Sequence, residues 1–496
     1  MRASSCILAI GRRPIRLAAL LATLSACTVG PNYQRPAPAG KTPAAFKEPP
    51  PPPGLPDGAW KPASPADVTV RGKWWEMFGD AQLSTLEEKI AVSNQSLKAA
   101  TAQYLAAREQ VRVARAGYFP TLTAGPSATH TRESYNQPGT IRGVTKYDFN
   151  TYALQSQALW EPDLWGSVRR TVEQARANVQ ATAADLANVE LSLRCELASD
   201  YFELRGLDTQ RQLLESTLAS DLDFLHLTQV RFNGGIATEV DVAQAETQYR
   251  AVKAQSIDLG VARSALEHAI ALLVGVPPSD FSLAAAPLAV AGPVPGIPGG
   301  VPSALLERRP DIAGAERRTA AANAAVGIAV AAYYPHFTLG ASAGLDSGVL
   351  GTLFQVSSFF WSLGASATET LFDAGRRHAL TDQARDQYEG QVATYRQTIL
   401  NAFREVEDSL AALRILSEEA DAETEAVEAA RHSLALSTKR YKGGVTTYLE
   451  VLTAQTIQLA SERAQADIAS RRYAASVQLV KALGGGWDSA RLASTN

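Results

Sequence analysis

Cysteine and histidine are scarce in this chain, and their scarcity argues against several kinds of site. Its 496 residues include six histidines and three cysteines, Cys6, Cys27 and Cys195. The cysteines show no metal-ligand spacing, so no zinc site is predicted. The formal charge of −3 is close to neutral and gives no reason to expect nucleic-acid binding. We expect no metal, no cofactor and no nucleic-acid partner.

Long apolar runs are absent past the first 30 residues, where no stretch approaches the ~18 apolar residues of a transmembrane helix. Arginines followed by the apolar run LAALLATLSAC predict a signal peptide over residues 1–26. The run ends in LSAC, residues 24–27, which resembles the lipobox of bacterial lipoproteins. The resemblance implies cleavage between Ala26 and Cys27 and acyl chains on Cys27, while Thr28 in the next position favours the outer membrane. An ordinary signal peptide followed by a chance cysteine is the alternative.

Proline is missing from residues 163–276 and 336–496 but frequent in residues 36–65. The proline-rich part predicts a semi-rigid, extended leader. The proline-free parts predict helices far longer than those of ordinary globular domains, and one from Ser167 to Phe232 would be about 100 Å long. Apolar residues in the second part recur at steps of three and four, a near-heptad spacing typical of coiled coils. They are Tyr388, Val392, Tyr395, Ile399, Ala402, Val406, Leu410 and Leu413.

One short segment occurs twice. RFNGGIATEVDV, residues 231–242, recurs as RYKGGVTTYLEV, residues 440–451, at a distance of 209 residues (440 − 231 = 209). Tyr118-Phe119-Pro120 likewise recurs as Tyr333-Tyr334-Pro335. The duplication predicts two similar halves, each with a helix, a strand, a loop, a strand, a very long helix, a tight turn and a long helix.

The duplicated segment has the residues of a helix-to-helix turn. Gly234 and Gly443 are predicted to end the first helix of each half in a left-handed conformation. Thr238 with Asp241, and Thr447 with Glu450, stand at capping-box spacing for the helix that returns. Helix capping is therefore the expected role of both acids.

Four strands with alternating apolar and polar residues are predicted at about 119–132, 148–160, 336–346 and 358–372. This period suits a membrane barrel that faces lipid outside and water inside, and it equally suits a soluble sheet with two different faces. Four strands cannot close a barrel, whose smallest usual number is about eight. If the strands span a membrane, several chains must share one barrel, and a trimer would supply twelve.

The predicted fold class is mainly α with membrane β: long coiled-coil α-hairpins, four strands per chain and an internal two-fold repeat. The predicted segments are a signal peptide (1–26), a lipidated cysteine and proline-rich leader (27–65), N-terminal helices (66–117), a first β-hairpin (118–162), a first long helical hairpin (163–276), a linker (277–309), a helix (310–334), a second β-hairpin (335–372), a second long helical hairpin (373–484) and a tail (485–496).

Several motifs in this order resemble the outer-membrane factors of tripartite efflux pumps, the TolC-like channels, in their NodT-type lipoprotein branch. They are WWEMFGD (74–80), ERRPDIAGAE (307–316), the two GG turns and LGGGW (483–487). The resemblance implies a homotrimer with a twelve-stranded barrel in the outer membrane and a helical tunnel through the periplasm. It also implies a periplasmic adaptor and an inner-membrane RND-type pump as partners. Passive conduction of drugs, solvents or other small toxic compounds is the expected function, without catalysis.

The same resemblance implies a channel closed at the periplasmic tip, where the two turns lie. In the family a Leu on the returning helix, followed four residues later by an Asp, forms the constriction. Leu449 matches the Leu, whereas Thr453 occupies the place of the Asp, so the family's acidic ring is absent here. Tyr441 and Leu449 are predicted as plug residues. The candidate tip residues are Arg231, Gly234, Gly235, Asp241, Arg440, Tyr441, Lys442, Gly443, Gly444, Leu449, Glu450 and Thr453.

Three alternatives remain at this point. Within the family, the chain would serve type I protein secretion or metal-ion efflux. Outside it, Ser342 in GASAG fits the G-x-S-x-G elbow of serine hydrolases, although that elbow requires a strand-to-helix turn and this serine falls in a predicted strand. A long coiled-coil lipoprotein spacer without a pore is the third, and the alternating strands argue against it.

Overall fold

A computed structural model of the chain describes residues 28–40, 43, 46–48, 72–132, 134, 148–288 and 305–487. The predicted signal peptide, Cys27 and most of the proline-rich leader lie outside the described residues. The same applies to part of the linker and to the last nine residues of the tail, 488–496.

The helices and strands follow the order that the repeat predicts. In chain order they are α1 (Ala81–Ser93), α2 (Gln95–Ala116), β1 (Thr121–Arg132), β2 (Asp148–Trp160), α3 (Ser167–Asn233), α4 (Glu239–Leu273), α5 (Leu305–Arg308), α6 (Pro310–Ala331), β3 (His336–Ser347), β4 (Phe359–Thr368), α7 (Arg376–Lys442) and α8 (Tyr448–Ala482). We call α3 with α4 hairpin 1, and α7 with α8 hairpin 2.

The two halves match element by element. Helices α3 and α7 have 67 residues each, and α4 and α8 have 35 each. Helices α2 and α6 have 22 residues each. Every residue of hairpin 1 therefore has a counterpart 209 positions later in hairpin 2. Within the described residues, no helix is both long enough and apolar enough to cross a membrane.

The strands form one antiparallel sheet in the order β1-β2-β3-β4. Its register aligns Leu122, Ala158, Ala341 and Leu363 across the four strands, and the next row aligns Thr123, Gln157, Ser342 and Ser362. Because successive side chains of a strand point to opposite faces, one face is apolar and the other polar. The predicted alternation is confirmed, and β1 and β4 are the edges of this sheet.

The chain divides into two compact units. The first comprises residues 1–36, 105–180 and 316–393, and its described part contains the sheet. The second comprises residues 37–104, 181–315 and 394–496, and its described part contains both helical turns. The largest apolar core lies in the second unit, where Trp74, Leu83 and Ile90 pack against Leu197 and Tyr201 of α3.

Candidate functional site at the helical turns

Both turns have the same backbone hydrogen bonds. In hairpin 1 the Ile236 N–H donates to the Arg231 carbonyl at 2.8 Å, and in hairpin 2 the Val445 N–H donates to the Arg440 carbonyl at 3.0 Å. This bond between residues five apart marks a Schellman motif, which needs a left-handed residue after the helix.

The second glycine of each pair is the left-handed one. Gly235 has a φ of 73° and Gly444 a φ of 76°. The prediction for Gly234 and Gly443 was wrong, because their N–H groups still donate to the carbonyls of Val230 and Lys439 in the helical pattern. The left-handed turn therefore comes one residue later than predicted.

Only the first turn forms the predicted capping box. The Asp241 carboxylate accepts from the Thr238 N–H at 2.9 Å, and the Thr238 hydroxyl accepts from the Asp241 N–H at 3.3 Å. Thr447 makes no capping hydrogen bond, and Glu450 pairs with Arg440 of the preceding helix at 3.4 Å. Capping is thus confirmed for Asp241 and wrong for Glu450, whose carboxylate is drawn to a guanidinium instead.

Tyr441 lies inside the chain, between the two hairpins. Its side chain is 4% exposed and packs in a cluster with Ala245, Tyr448 and Val451. Its hydroxyl lies 3.1 Å from the hydroxyl of Thr228 in hairpin 1. This burial favours a role in joining the hairpins over the predicted role as a plug.

Arg231 of hairpin 1 holds the end of α7. Its guanidinium stacks on the Tyr441 ring at 4.5 Å. It also donates to the carbonyls of Tyr441 and Lys442, each at 2.9 Å. Carbonyls in the last turn of a helix lack intrahelical partners and carry partial negative charge, so a guanidinium there caps the helix. We call this contact, together with Thr228, the hairpin joint.

Leu449 differs from Tyr441 in being 53% exposed on the first turn of α8. Thr453, one turn further along, is exposed, and its hydroxyl donates to the Leu449 carbonyl at 2.9 Å. Arg440, Lys442 and Glu450 are also exposed. Leu449 is therefore available for a contact outside the chain.

Asp221 is a tip residue that the motif analysis missed. Its side chain is fully buried, and within the described residues neither carboxylate oxygen finds a hydrogen bond of normal geometry. Burial raises its pKa to about 6, which the nearby Gln248 amide opposes in part. The signal was present, because Leu214, Leu218, Asp221, Leu225 and Thr228 follow each other at steps of four and three, so the acid occupies a core position.

Ser342 lies in the middle of β3, where its hydroxyl is 2.8 Å from that of Ser362 on β4. The hydrolase elbow needs a sharp turn from a strand into a helix. Ser342 therefore lacks the setting of a nucleophile and belongs to the polar face of the sheet.

Comparison with known proteins agrees with this architecture. The family model for outer membrane efflux proteins matches residues 86–276 and 301–485. The chain is 34% identical to the solvent efflux pump outer membrane protein SrpC of Pseudomonas putida, over 94% of this chain and 97% of that protein. It is 32% identical to the pyoverdine export outer membrane protein OpmQ of Pseudomonas aeruginosa, over 86% of this chain and 90% of that protein.

Among solved structures, the outer-membrane channel OprN superposes with a TM-score of 0.82 at 30% identity, covering 93% of this chain and all of that one. The family-model match includes both β-hairpins and both helical hairpins. The chain belongs to the outer membrane efflux protein family and is an outer-membrane channel component of an efflux system.

Proposed function

We propose that three copies of this chain form a passive duct, with a shared twelve-stranded barrel and a tunnel made of the helical hairpins. The sheet carries this proposal. Its apolar face suits lipid, its polar face suits a water-filled lumen, and its edge strands need partners because a membrane does not tolerate open sheet edges. In this arrangement the β-hairpins lie in the barrel and the long helices cross the periplasm.

The duct has no catalytic role in this proposal. Its partners are a periplasmic adaptor and an inner-membrane RND-type pump, which deliver drugs, solvents or other small toxic compounds. The names of the related solvent and pyoverdine exporters support a small-molecule cargo over a secreted protein.

Reconstitution tests the duct. The purified chain should have the native mass of a trimer and should give stepwise single-channel currents in a planar bilayer. A trimer that never conducts, even after its tip is removed or mutated, would contradict a duct and favour a spacer protein.

We propose Cys27 as a lipid anchor beside the barrel. The residues after it are held in the first unit: the Val29 N–H donates to the Trp165 carbonyl at 3.1 Å. The buried Arg170 guanidinium donates to the carbonyls of Val29 and Gly30, each at 3.3 Å. Trp165 follows the end of β2 by five residues, so the anchor would enter the membrane close to the sheet.

Replacing the anchor should not release the protein. With a non-lipoprotein signal peptide, Cys27→Ser should still fractionate with the outer membrane, because twelve strands bury far more apolar surface than acyl chains do. Recovery of this variant only as soluble periplasmic protein would show that the acyl chains, and not the strands, hold it.

A further inference from the structure

The hairpin joint has two different sides. Hairpin 1 contributes Thr228 and Arg231 near the end of α3, and hairpin 2 contributes Tyr441 and the final carbonyls of α7. Thr228 is fully buried and Tyr441 nearly so. The contact is directional, since the arginine comes from hairpin 1 and the capped helix end from hairpin 2.

The repeat places a second copy of each side on the opposite hairpin. Ser437 and Arg440 of hairpin 2 correspond to Thr228 and Arg231. Phe232 and Asn233 at the end of α3 correspond to Tyr441 and Lys442. These counterparts are not buried within the chain: Phe232 is 39% exposed, and Asn233 and Arg440 are exposed too.

Two complementary sides that are exposed on one chain would fit each other on neighbouring chains. Contacts between unlike surfaces close into a ring when the rotation between copies permits it. The open arginine side of hairpin 2 would then meet the open helix end of hairpin 1 in the next copy. Each copy would repeat, towards its neighbour, the contact that its own hairpins already make.

A second pair of corresponding positions carries complementary charges, which supports this contact between copies. Leu214 of α3 and Leu459 of α8 pack together within the chain. Their counterparts are Glu423 of α7 and Arg250 of α4, which carry opposite charges. The apolar pair inside the chain thus corresponds to two residues of opposite charge, of which Arg250 also pairs with Glu246 of its own helix at 3.3 Å.

We infer that Arg440 caps the end of α3 in the adjacent copy, binding the carbonyls of Phe232 and Asn233 over the Phe232 ring. The inference rests on the proposed trimer and names the contact that would close its tip. It assigns Arg440 as a positioning residue between copies.

The joint between copies is weaker than the joint within a chain. Phe232 has no hydroxyl to bond Ser437, and the Glu423–Arg250 pair would be exposed to screening by salt. Arg440 also has a competing partner, Glu450 in its own chain, at 3.4 Å. The joint between copies is therefore the one that separates when the tip opens, and Glu450 receives the released guanidinium.

Cross-linking tests the contact. Asn233→Cys with Arg440→Cys is prepared in a Cys195→Ser background and treated, in membranes, with a short bifunctional maleimide. We expect covalent dimers and trimers on a denaturing gel. The matched control, Arg231→Cys with Lys442→Cys, reacts within one chain. It should lose its free thiols but still run as a monomer on the denaturing gel. Absence of intermolecular products from a chain whose native mass is trimeric would overturn the contact and leave the proposed duct intact. A monomeric native mass would overturn both.

Conductance measurements distinguish the contact of Arg440 with the adjacent copy from its pair with Glu450 in the same chain. Arg440→Ala should raise the resting conductance several-fold, because the joint between copies is lost. Glu450→Ala should leave conductance unchanged or lower it, because Arg440 then has only the neighbour to bind. An equal rise in both variants would show that Arg440 acts only through its pair with Glu450, and would overturn the inference.

Discussion

At the scale of single residues, the tip combines exposed apolar side chains with one buried acid. Leu449 is exposed at the start of α8, and its counterpart in hairpin 1, Val240, is exposed as well. Rings of apolar side chains close pores by excluding water. Leu449→Ala should therefore raise resting conductance and sensitise cells to large antibiotics such as vancomycin.

Val240→Ala is the matched control for that experiment, since it removes an apolar side chain at the same position of the other hairpin. It should have little effect if the constriction lies on hairpin 2 alone. Unchanged conductance of Leu449→Ala in a normally assembled trimer would move the constriction to another residue.

Asp221 lies seven residues before Thr228 on α3 and makes the packing of hairpin 1 against Tyr448 of hairpin 2 sensitive to pH. Its pKa in the packed hairpins is about 6, above the ordinary value of 3.8, so the packed form binds an additional proton between these values. Packing consequently becomes less favourable as the pH rises from about 4 to about 6, and its free-energy cost stays constant above that range. At about 1.4 kcal/mol per pKa unit, the cost at neutral pH is of the order of 3 kcal/mol. The titratable side chain that faces it is Tyr448 of α8, whose pKa is raised by burial and by the Asp221 charge, so Tyr448 stays neutral in this range.

Asp221→Asn should remove most of this cost. Hydrogen exchange of the peptide around residue 221, corrected for intrinsic rates, should be slower than in the parent protein at pH 8, and the two should converge near pH 4. Asp223→Asn, at an exposed position two residues away, should leave the exchange unchanged. Faster exchange in Asp221→Asn at pH 8 would show that the carboxylate stabilises the packing of the hairpins instead.

At the scale of elements, each turn depends on one glycine of its pair. A Cβ at Gly235 or Gly444 would meet no atom within 4 Å, so substitution there acts through the left-handed backbone alone. This conformation costs other residues about 1–2 kcal/mol. Gly235→Ala and Gly444→Ala should therefore speed trypsin cleavage at Arg231 and Arg440 roughly 5- to 30-fold, where cleavage follows local opening.

The first glycine of each pair provides the control. Gly234→Ala and Gly443→Ala keep a backbone that alanine adopts freely, and should slow cleavage slightly by making the open chain less flexible. Equal effects at both positions of a pair would show that the left-handed turn does not limit the stability of the hairpin.

The predictability of each element follows from how many residues specify it. The long helices and the strands were predictable because their periodicities extend over many turns and pairs. The left-handed glycine was off by one residue, because a single hydrogen bond from Gly234 to Val230 decides where α3 ends. The failure of the second capping box depends on Arg440, which lies ten residues before Glu450 in sequence and contacts it only after the turn has formed.

The role of Tyr441 could not be predicted from the sequence, for a different reason. Within its own hairpin it follows the same pattern as Phe232, yet one ring is buried and the other exposed. The difference comes from the packing of one hairpin against the other, which brings together residues more than 200 positions apart. No local sequence pattern predicts such a contact.

At the scale of the whole molecule, the remaining question is which side of the tunnel wall carries its acidic stripe. Glu418, Asp421, Glu425 and Glu428 follow steps of three, four and three along α7, and all are exposed. They lie opposite Val427 and Ala430, which are buried. A lumen-facing ring would favour cations, whereas a solvated outer face would not affect conduction.

The N-terminal segment favours the outer face. The Glu407 carboxylate accepts from the N–H groups of Lys47 and Glu48, at 2.7 and 3.1 Å, and Arg414 pairs with Glu48 at 3.0 Å. Glu407 and Arg414 lie on the same stripe of α7 as Glu418, at helical spacings of seven and four. If Cys27 is the anchor proposed above, the segment that follows it lies outside the tunnel, because reaching the lumen would require it to cross the wall.

Replacing all four acids of the stripe with Gln should therefore leave the cation-over-anion selectivity unchanged. The measurement is the reversal potential of single channels in a bilayer with a salt gradient, compared with the parent protein at the same ionic strength. Surface charges on the outer face are separated from the conducting ions by the helical wall and are screened within about 10 Å at 0.1 M salt. A shift of the reversal potential that shows lower cation selectivity would place the stripe in the lumen. It would also mean that the N-terminal segment covers this helix face only near Glu407 and Arg414.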